Sequence, residues 1–547
     1  MNPSWDTLER GRQARLERAA PWASGHEVAA GDVAELLHAL LEPGDKVCLE
    51  GNNQKQADFL AQALADLDPA RVHDLHMVQS VLSLPSHLDV FERGIASRLD
   101  FSFSGPQSVR LANLVAEGRI QIGAIHTYLE LFGRYFIDLT PRVALVAAQA
   151  ADRHGNLYTG PNTEDTPVIV EATAFGGGIV IAQVNEIVDT LPRVDIPADW
   201  VNFVVQAPRP NHIEPLFTRD PAQISEIQVL MAMMAIKGIY AEYGVNRLNH
   251  GIGFDTAAIE LLLPTYAESL GLKGKICQHW ALNPHPALIP AIESGFVKSV
   301  HSFGSELGME KYIAARGDVF FTGADGSMRS NRAFSQTAGL YACDMFIGST
   351  LQIDLQGNSS TATRDRIAGF GGAPNMGSDA RGRRHASDAW IKAGQQAAQP
   401  GEMPRGRKLV VQMVETFREH MAPAFVDRLD AWELAERAAM PLPPVMIYGD
   451  DVSHVLTEEG IANLLLCRSP EEREQAIRGV AGYTAVGRGR DRAMVENLRD
   501  RGVIRRPDDL GINVRDASRD LLAARSVKDL VRWSGGLYDP PKRFRNW

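Results

Sequence analysis

The chain has 547 residues, 45% of them hydrophobic and 22% charged, with a net charge of −11 at pH 7. That length predicts two to four domains with an ordinary buried core. The acidity excludes the basic footprint of a nucleic-acid binder and disfavours an anionic membrane surface. The first 20 residues are charged and helical in pattern, with no apolar leader core. The greasiest helix, "IQVLMAMMAIKGIYAEYG" at 227–244, is cut by Lys237 and Gly238, too short to span a bilayer. The expected compartment is the cytoplasm. Cys48, Cys277, Cys343 and Cys467 lie far apart. No pair has zinc-ligand spacing, so no metal is expected.

In chain order, strand-like runs alternate with helix-like stretches. "DKVCLEG" (45–51) precedes "NNQKQADFLAQALADL". "RVALVAAQAADRHGN" (142–156) leads to "PVIVEATAFGGGIVIAQVNEIV" (167–188). "KICQHWAL" (275–282) is followed by "HPALIPAIESGFV" (285–297). Then come "DVFFTGA", "MFIGSTLQIDLQG", "PPVMIYGDD" and "HVLTEEGIANLL". This alternation predicts an α/β fold with largely parallel sheets and ligands at the carboxyl ends of strands. The Pro-flanked stretch 215–221 suggests a boundary, giving domains 1–220 and 221–547. A second irregular zone, 393–408, reads as an exposed loop.

The segment "GNSSTATRDRIAGFGGAPNMGS" (357–378) spends much sequence on residues that pack poorly. Gly369, Gly371 and Gly372 follow Arg364 and Arg366. Glycines let main chain approach a ligand closely, and adjacent N–H groups in such a turn can hold an anion or a developing oxyanion. The spacing is neither a dinucleotide fingerprint nor a P-loop. A tight turn between strand and loop is the alternative.

The order of "MFIGSTLQIDLQGNSS", "RIAGFGG" and "VLTEEGIANLLLCRSPEERE", with "ADRHGNLYTG" (151–160) and "IAQVN" (181–185) upstream, resembles the coenzyme A transferase superfamily. "GNNQKQADFLAQAL" (51–64) and "CQHWALNPHPALIPAIESG" (277–295) are similar to one family within it, the malonate decarboxylase alpha subunits. The resemblance implies two coenzyme A transferase-like domains. It also implies exchange of acetate for malonate on the thiol of an acyl-carrier-protein arm of the triphosphoribosyl-dephospho-coenzyme A type. The implied partners are the acyl carrier protein and the subunits that decarboxylate its malonyl thioester. No cofactor held by this chain itself is implied.

Ordinary superfamily members use a glutamate nucleophile after a "GIG" turn. Here "NHGIGFDTAAIELLL" (249–263) resembles that turn, but the next strand offers His279 and Asn283 and no carboxylate. Either an incoming carboxylate attacks the thioester itself, or a displaced residue such as Glu306 serves as nucleophile. The catalytic candidates are therefore Gly371, Gly372, His279 and Asn283, although His279 is also read as a satisfied strand histidine. For the spectator carboxylate the candidates are Arg332 with Asn331, and Arg329, or else these form a solvated loop. Asn52, Asn53 and Gln54 either cap a helix or touch substrate. Gly253, Gln356, Asn358 and Gly369 complete the substrate set, with Gln356 and Asn358 also read as shaping the turn that begins the glycine stretch. Arg381, Arg383 and Arg384 form a basic run that could dock an acidic carrier, or simply a solvated loop. His154 reads as a turn residue, and Glu458 and Glu459 as structural. Competing functions are a transferase acting on free coenzyme A, a citrate lyase alpha-type transferase, and a non-catalytic scaffold.

Overall fold

The structure, a computed structural model, describes residues 5–52, 54–214, 220–304, 306–323, 331–385, 387–403, 405–545 and 547. Its first sheet is built from β1 (Glu27–Val28), β2 (Lys46–Leu49), β3 (Leu75–Val81), β4 (Ala96–Phe103), β5 (Gln121–Ile125), β6 (Val143–Asp152), β7 (Leu157–Tyr158), β8 (Ile179–Val188) and β9 (Phe203–Gln206). The strands run in the order β1-β9-β8-β6-β2-β3-β4-β5, with β7 attached to β6. Every pairing except β6–β7 is parallel. The central strand β6 is an almost unbroken apolar run, as a strand covered by helices on both faces must be.

The second sheet uses β10 (Arg247–His250), β11 (His279–Leu282), β12 (Ser299–Ser302) and β13 (Met345–Ser349). After the small hairpin β14 (Gln352–Ile353) and β15 (Ser359–Ser360), it continues with β16 (Leu409–Met413), β17 (His454–Thr457), β18 (Gly460–Asn463) and β19 (Ile504–Arg505). Its order is β12-β11-β10-β13-β16-β17-β18-β19, parallel as far as β17 and antiparallel beyond. The α/β class and the largely parallel sheets are as expected. Strands of the first sheet all precede residue 207 and those of the second all follow 246.

The greasy segment forms the helix Glu226–Ala235, which continues through a π-helical turn. Ser225 and Gln228 close a reciprocal capping box at its start. Among the described residues, no helix is long and apolar enough to cross a membrane.

One expected strand breaks in two. "MFIGSTLQIDL" pairs in the main sheet only to Ser349 and resumes as β14 in a separate hairpin. The break turns Ser349, Thr350 and Leu351 toward a cavity. Likewise "HVLTEEGIANLL" is an antiparallel hairpin, β17–β18, with Glu458 and Glu459 in its turn. Glu458 accepts the Thr416 amide at 3.0 Å, a structural role.

Candidate active site

The glycine turn is where the two halves meet. A hydrogen-bonded bridge joins Phe103 at the end of β4 to Gly369. The Ser102 carbonyl accepts the amides of Phe370 (2.6 Å) and Gly371 (2.9 Å), and Ser104 N–H donates to the Ala368 carbonyl at 2.9 Å. Tyr128 N–H donates to the Gly371 carbonyl at 3.1 Å. Gly369 has φ +77°, and a methyl there would meet the Ser102 oxygen at 2.5 Å and the Phe103 Cα at 2.9 Å. Only glycine permits this approach of main chain to main chain.

Beside the turn lies a cavity of about 360 Å³. It collects the carboxyl ends of four strands: Phe103 from β4, His250 from β10, Leu282 from β11 with Asn283 just beyond it, and Ser349 from β13. This is the location that strand topology favours. Gly369, Phe370, Gly371 and Gly372 line one wall, with Tyr128, Arg332, Gln336 and Arg366 around them. Among the described residues, no aspartate or glutamate lines this cavity.

Carboxylates stand one layer behind it on two sides. Glu260 is fully buried and accepts from His250 Nδ1 at 2.9 Å and from His285 Nε2 at 3.1 Å. Burial alone would raise its carboxyl, but His285 and then His250 outweigh this and hold it down to about 2. Burial in turn lowers His250, so its neutral ring donates through Nδ1 and accepts Tyr240 O–H at Nε2, 2.8 Å away. On the other side Arg332 is buried against Glu164, with Asp165 3.4 Å from its Nε. Its guanidinium stacks 4.6 Å from the Tyr128 ring centroid. Burial pushes Glu164 up to about 7, with Asp165 adding to the push and Arg332 opposing it. Burial likewise raises Tyr128 to about 12. Arg366, by contrast, pairs at 2.9 Å with a largely exposed carboxylate, Glu419.

Of the expected site residues, the fold brings Asn283, Arg332, Gly369, Gly371 and Gly372 to one cavity. The amide of Gly371 is already used by Ser102, so it is not free to hold an oxyanion. Among the described residues the amides of Gly369 and Gly372 have no such acceptor.

The others are placed elsewhere. His279 is exposed at the amino end of β11, with Nδ1 2.8 Å from Ser299 Oγ, far along the strand from the cavity end. Asn331 caps the helix Arg332–Tyr341 by accepting the Phe334 amide. Asn52 is buried and accepts the amides of Gln54 (2.8 Å) and Lys55 (2.7 Å), while Gln54 is buried and its main-chain carbonyl accepts from Asn162 Nδ2 at 3.4 Å. Gly253 precedes the helix Phe254–Leu262 with extended backbone, and its neighbours Gly251 and Ile252 reach the cavity instead. The amides of Gln356 and Asn358 are folded onto Asp354 in a turn away from the cavity. Arg383 is buried, bonded to Asp344 at 2.6 Å and to the Cys343 carbonyl, which removes it from any docking face. Arg381 and Arg384 are exposed. Glu306 is buried and does not line the cavity. His154 lies exposed in a turn closed by Asp152. Arg329 and Asn53 lie outside the described residues. Residue patterns did not single out His250, Glu260, His285, Tyr128 or Gln336, which meet only through the fold.

A family model described as "Malonate decarboxylase, alpha subunit, transporter" matches residues 4–547. An acetyl-S-ACP:malonate ACP transferase from Malonomonas rubra is 62% identical over 99% of both chains. A chain in the crystal structure of a Pseudomonas malonate decarboxylase hetero-tetramer in complex with malonate superposes with a TM-score of 0.96, at 61% identity and full coverage of both. The putative alpha subunit of citrate lyase from Streptococcus mutans shares the fold at 14% identity and TM-score 0.59, covering 95% of this chain and 87% of its own.

Proposed function

Because the chain belongs to the family of malonate decarboxylase alpha subunits, we propose that it exchanges acetate for malonate on the thiol arm of an acyl carrier protein. It would do so within a multi-subunit malonate decarboxylase, beside the subunits that decarboxylate the malonyl thioester. The arm is a coenzyme A-like group carried by the carrier protein.

One observation supports the chemistry: among the described residues, the cavity at the glycine turn has no lining carboxylate. Asn283 stands at the cavity end of β11, where a glutamate nucleophile would be needed. Malonate then supplies the attacking oxygen. A carboxylate oxygen adds to the acetyl carbonyl carbon, and the carbonyl electron pair moves onto oxygen. Collapse of this tetrahedral oxyanion expels the thiolate and leaves an acetyl–malonyl anhydride. The thiolate adds to the malonyl carbonyl, and acetate leaves with the bridging oxygen. No net proton moves, and no bond to the protein forms.

The protein's contribution is alignment and charge stabilisation. Holding the reactants in line is worth about 7–11 kcal/mol, and each well-placed oxyanion donor about 3–4 kcal/mol. The unengaged Gly372 amide is one such donor. Arg332 already faces Glu164 and Asp165, whereas the partner of Arg366 is exposed and screened by water. Arg366 is therefore the better seat for the spectator carboxylate. The test is to incubate the purified chain with acetylated carrier and radiolabelled malonate. Label should appear on the carrier as acetate is released, with no hydroxylamine-sensitive acyl group on the chain. Absence of transfer would refute the reading.

A further inference from the structure

With the Gly371 amide lost to Ser102, the unengaged Gly372 N–H needs a different donor beside it to form a pair. We propose that the side-chain amide of Gln336 is that donor, paired with the Gly372 N–H. The inference rests on the transferase reading above.

Gln336 lies on the helix Arg332–Tyr341, is 1% exposed and lines the cavity. A methyl placed on Gly372 would lie 2.6 Å from Gln336 Nε2 and 2.7 Å from its Oε1. Residue 372 has ordinary helical backbone, φ −88° and ψ −7°, so no conformational need requires glycine there. Room for the Gln336 amide is what a side chain at 372 would remove.

The orientation of that amide follows from its neighbours. Asn375 Nδ2 donates to Gln336 Oε1 at 2.5 Å and lies 3.5 Å from the Gln336 main-chain carbonyl. Thr127 Oγ1 donates to Asn375 Oδ1 from the other half of the molecule. Rotating the Asn375 amide would set its oxygen against that main-chain carbonyl, so the acceptor carbonyl fixes which end is nitrogen. With Oε1 committed to Asn375, Gln336 Nε2 is left as a donor with no acceptor among the described residues. It is held beside the Gly372 amide, one of the two turn amides with no acceptor among the described residues. Donors fixed in place before charge develops are those that stabilise a transition state.

The role is electrostatic and acts on the tetrahedral oxyanion rather than on bound malonate. Gln336→Ala should lower kcat for malonate transfer by roughly 10²–10³-fold, the usual loss for one oxyanion donor. The malonate KM should stay within about threefold, because the interaction forms only in the transition state. Gln336→Glu keeps the shape but places an acceptor where the donor was, and should lose at least as much kcat. Asn375→Asp removes the positioning donor and should give a smaller kcat loss, also without a KM change. Gln336→Glu is isosteric and is measured alongside in case the alanine variant fails to fold. The wild-type chain assayed with acetylated carrier separates the two ideas. If it transfers malonate and folded Gln336 variants keep kcat within threefold, or change only KM, the inference is wrong. If the wild type itself does not transfer, the reading beneath it is wrong.

Discussion

Two turns in one glycine-rich segment look alike in sequence and do opposite things. At 354–358, Asp354 gathers the amides of Gln356 and Asn358, and Gly357 takes φ +85°. Asn358 Oδ1 accepts the Gly449 amide, and the turn packs away from the cavity. At 369–372 the glycines bring main chain against main chain across the two halves and wall the cavity. A positive φ is common to both. What differs is what a side chain would strike. Glycine content marks a turn, and only the surroundings say whether it is functional.

That contrast orders the expected effects. Gly369→Ala adds strain at φ +77° to a collision with Ser102 main chain. It should cost on the order of 3 kcal/mol or more, lower the melting temperature and abolish transfer. If it proved stable and active, the seam between the halves would not depend on this approach. Next, Arg366→Ala should raise the malonate KM by roughly tenfold or more, the loss of a charge-assisted pair of about 1.5 kcal/mol, with a smaller effect on kcat. An unchanged KM would move the spectator carboxylate back to Arg332.

Gly357→Ala is the control. Its nearest contacts would be an ordinary 3.5–3.6 Å, so only backbone strain of about 1 kcal/mol is expected, with kcat and KM unchanged. A large loss of activity there would erase the distinction between the turns.

The smallest effect is graded with pH. Tyr128, whose amide holds Gly371, is stacked on Arg332, which is bound to Glu164. Burial raises the Glu164 carboxyl from near 4.5 to about 7. The folded chain therefore binds more protons than the unfolded chain between those values, and this group's contribution to stability falls as pH rises from 4.5 to 7. Glu164→Gln removes that slope. In urea unfolding, the variant should gain on the wild type up to about pH 7 and hold a constant difference above it. A difference independent of pH would mean that Glu164 ionises normally.

Much of the fold was legible because local signals agreed with it. Alternating apolar runs and helical stretches predicted the parallel sheets, with ligands expected at the carboxyl ends of strands. Several site assignments failed for identifiable reasons. His279 was judged by its place in a motif, yet it sits at the amino end of its strand, while ligands gather at carboxyl ends. Asn331 immediately before a helix is a capping signal that could have been read as one. For Gln356 and Asn358 the turn-shaping reading fits and the substrate reading does not, because Asp354 ahead of Gly357 closes the turn with its own side chain. Glu260 with its two histidines, and Gln336 with Asn375 and Thr127, had no comparable signal. Thr127 and Asn375 are 248 residues apart and meet only when the two halves assemble, while His285 reaches Glu260, the partner of His250, from beyond the next strand.

On the proposed route malonate, not the protein, supplies the attacking oxygen. Carboxylate-¹⁸O malonate, followed through a single turnover with acetylated carrier, tests it most directly. One ¹⁸O should appear in the released acetate, and the mass of the protein should be unchanged. Unlabelled acetate together with ¹⁸O in a side-chain carboxylate of the protein would contradict it.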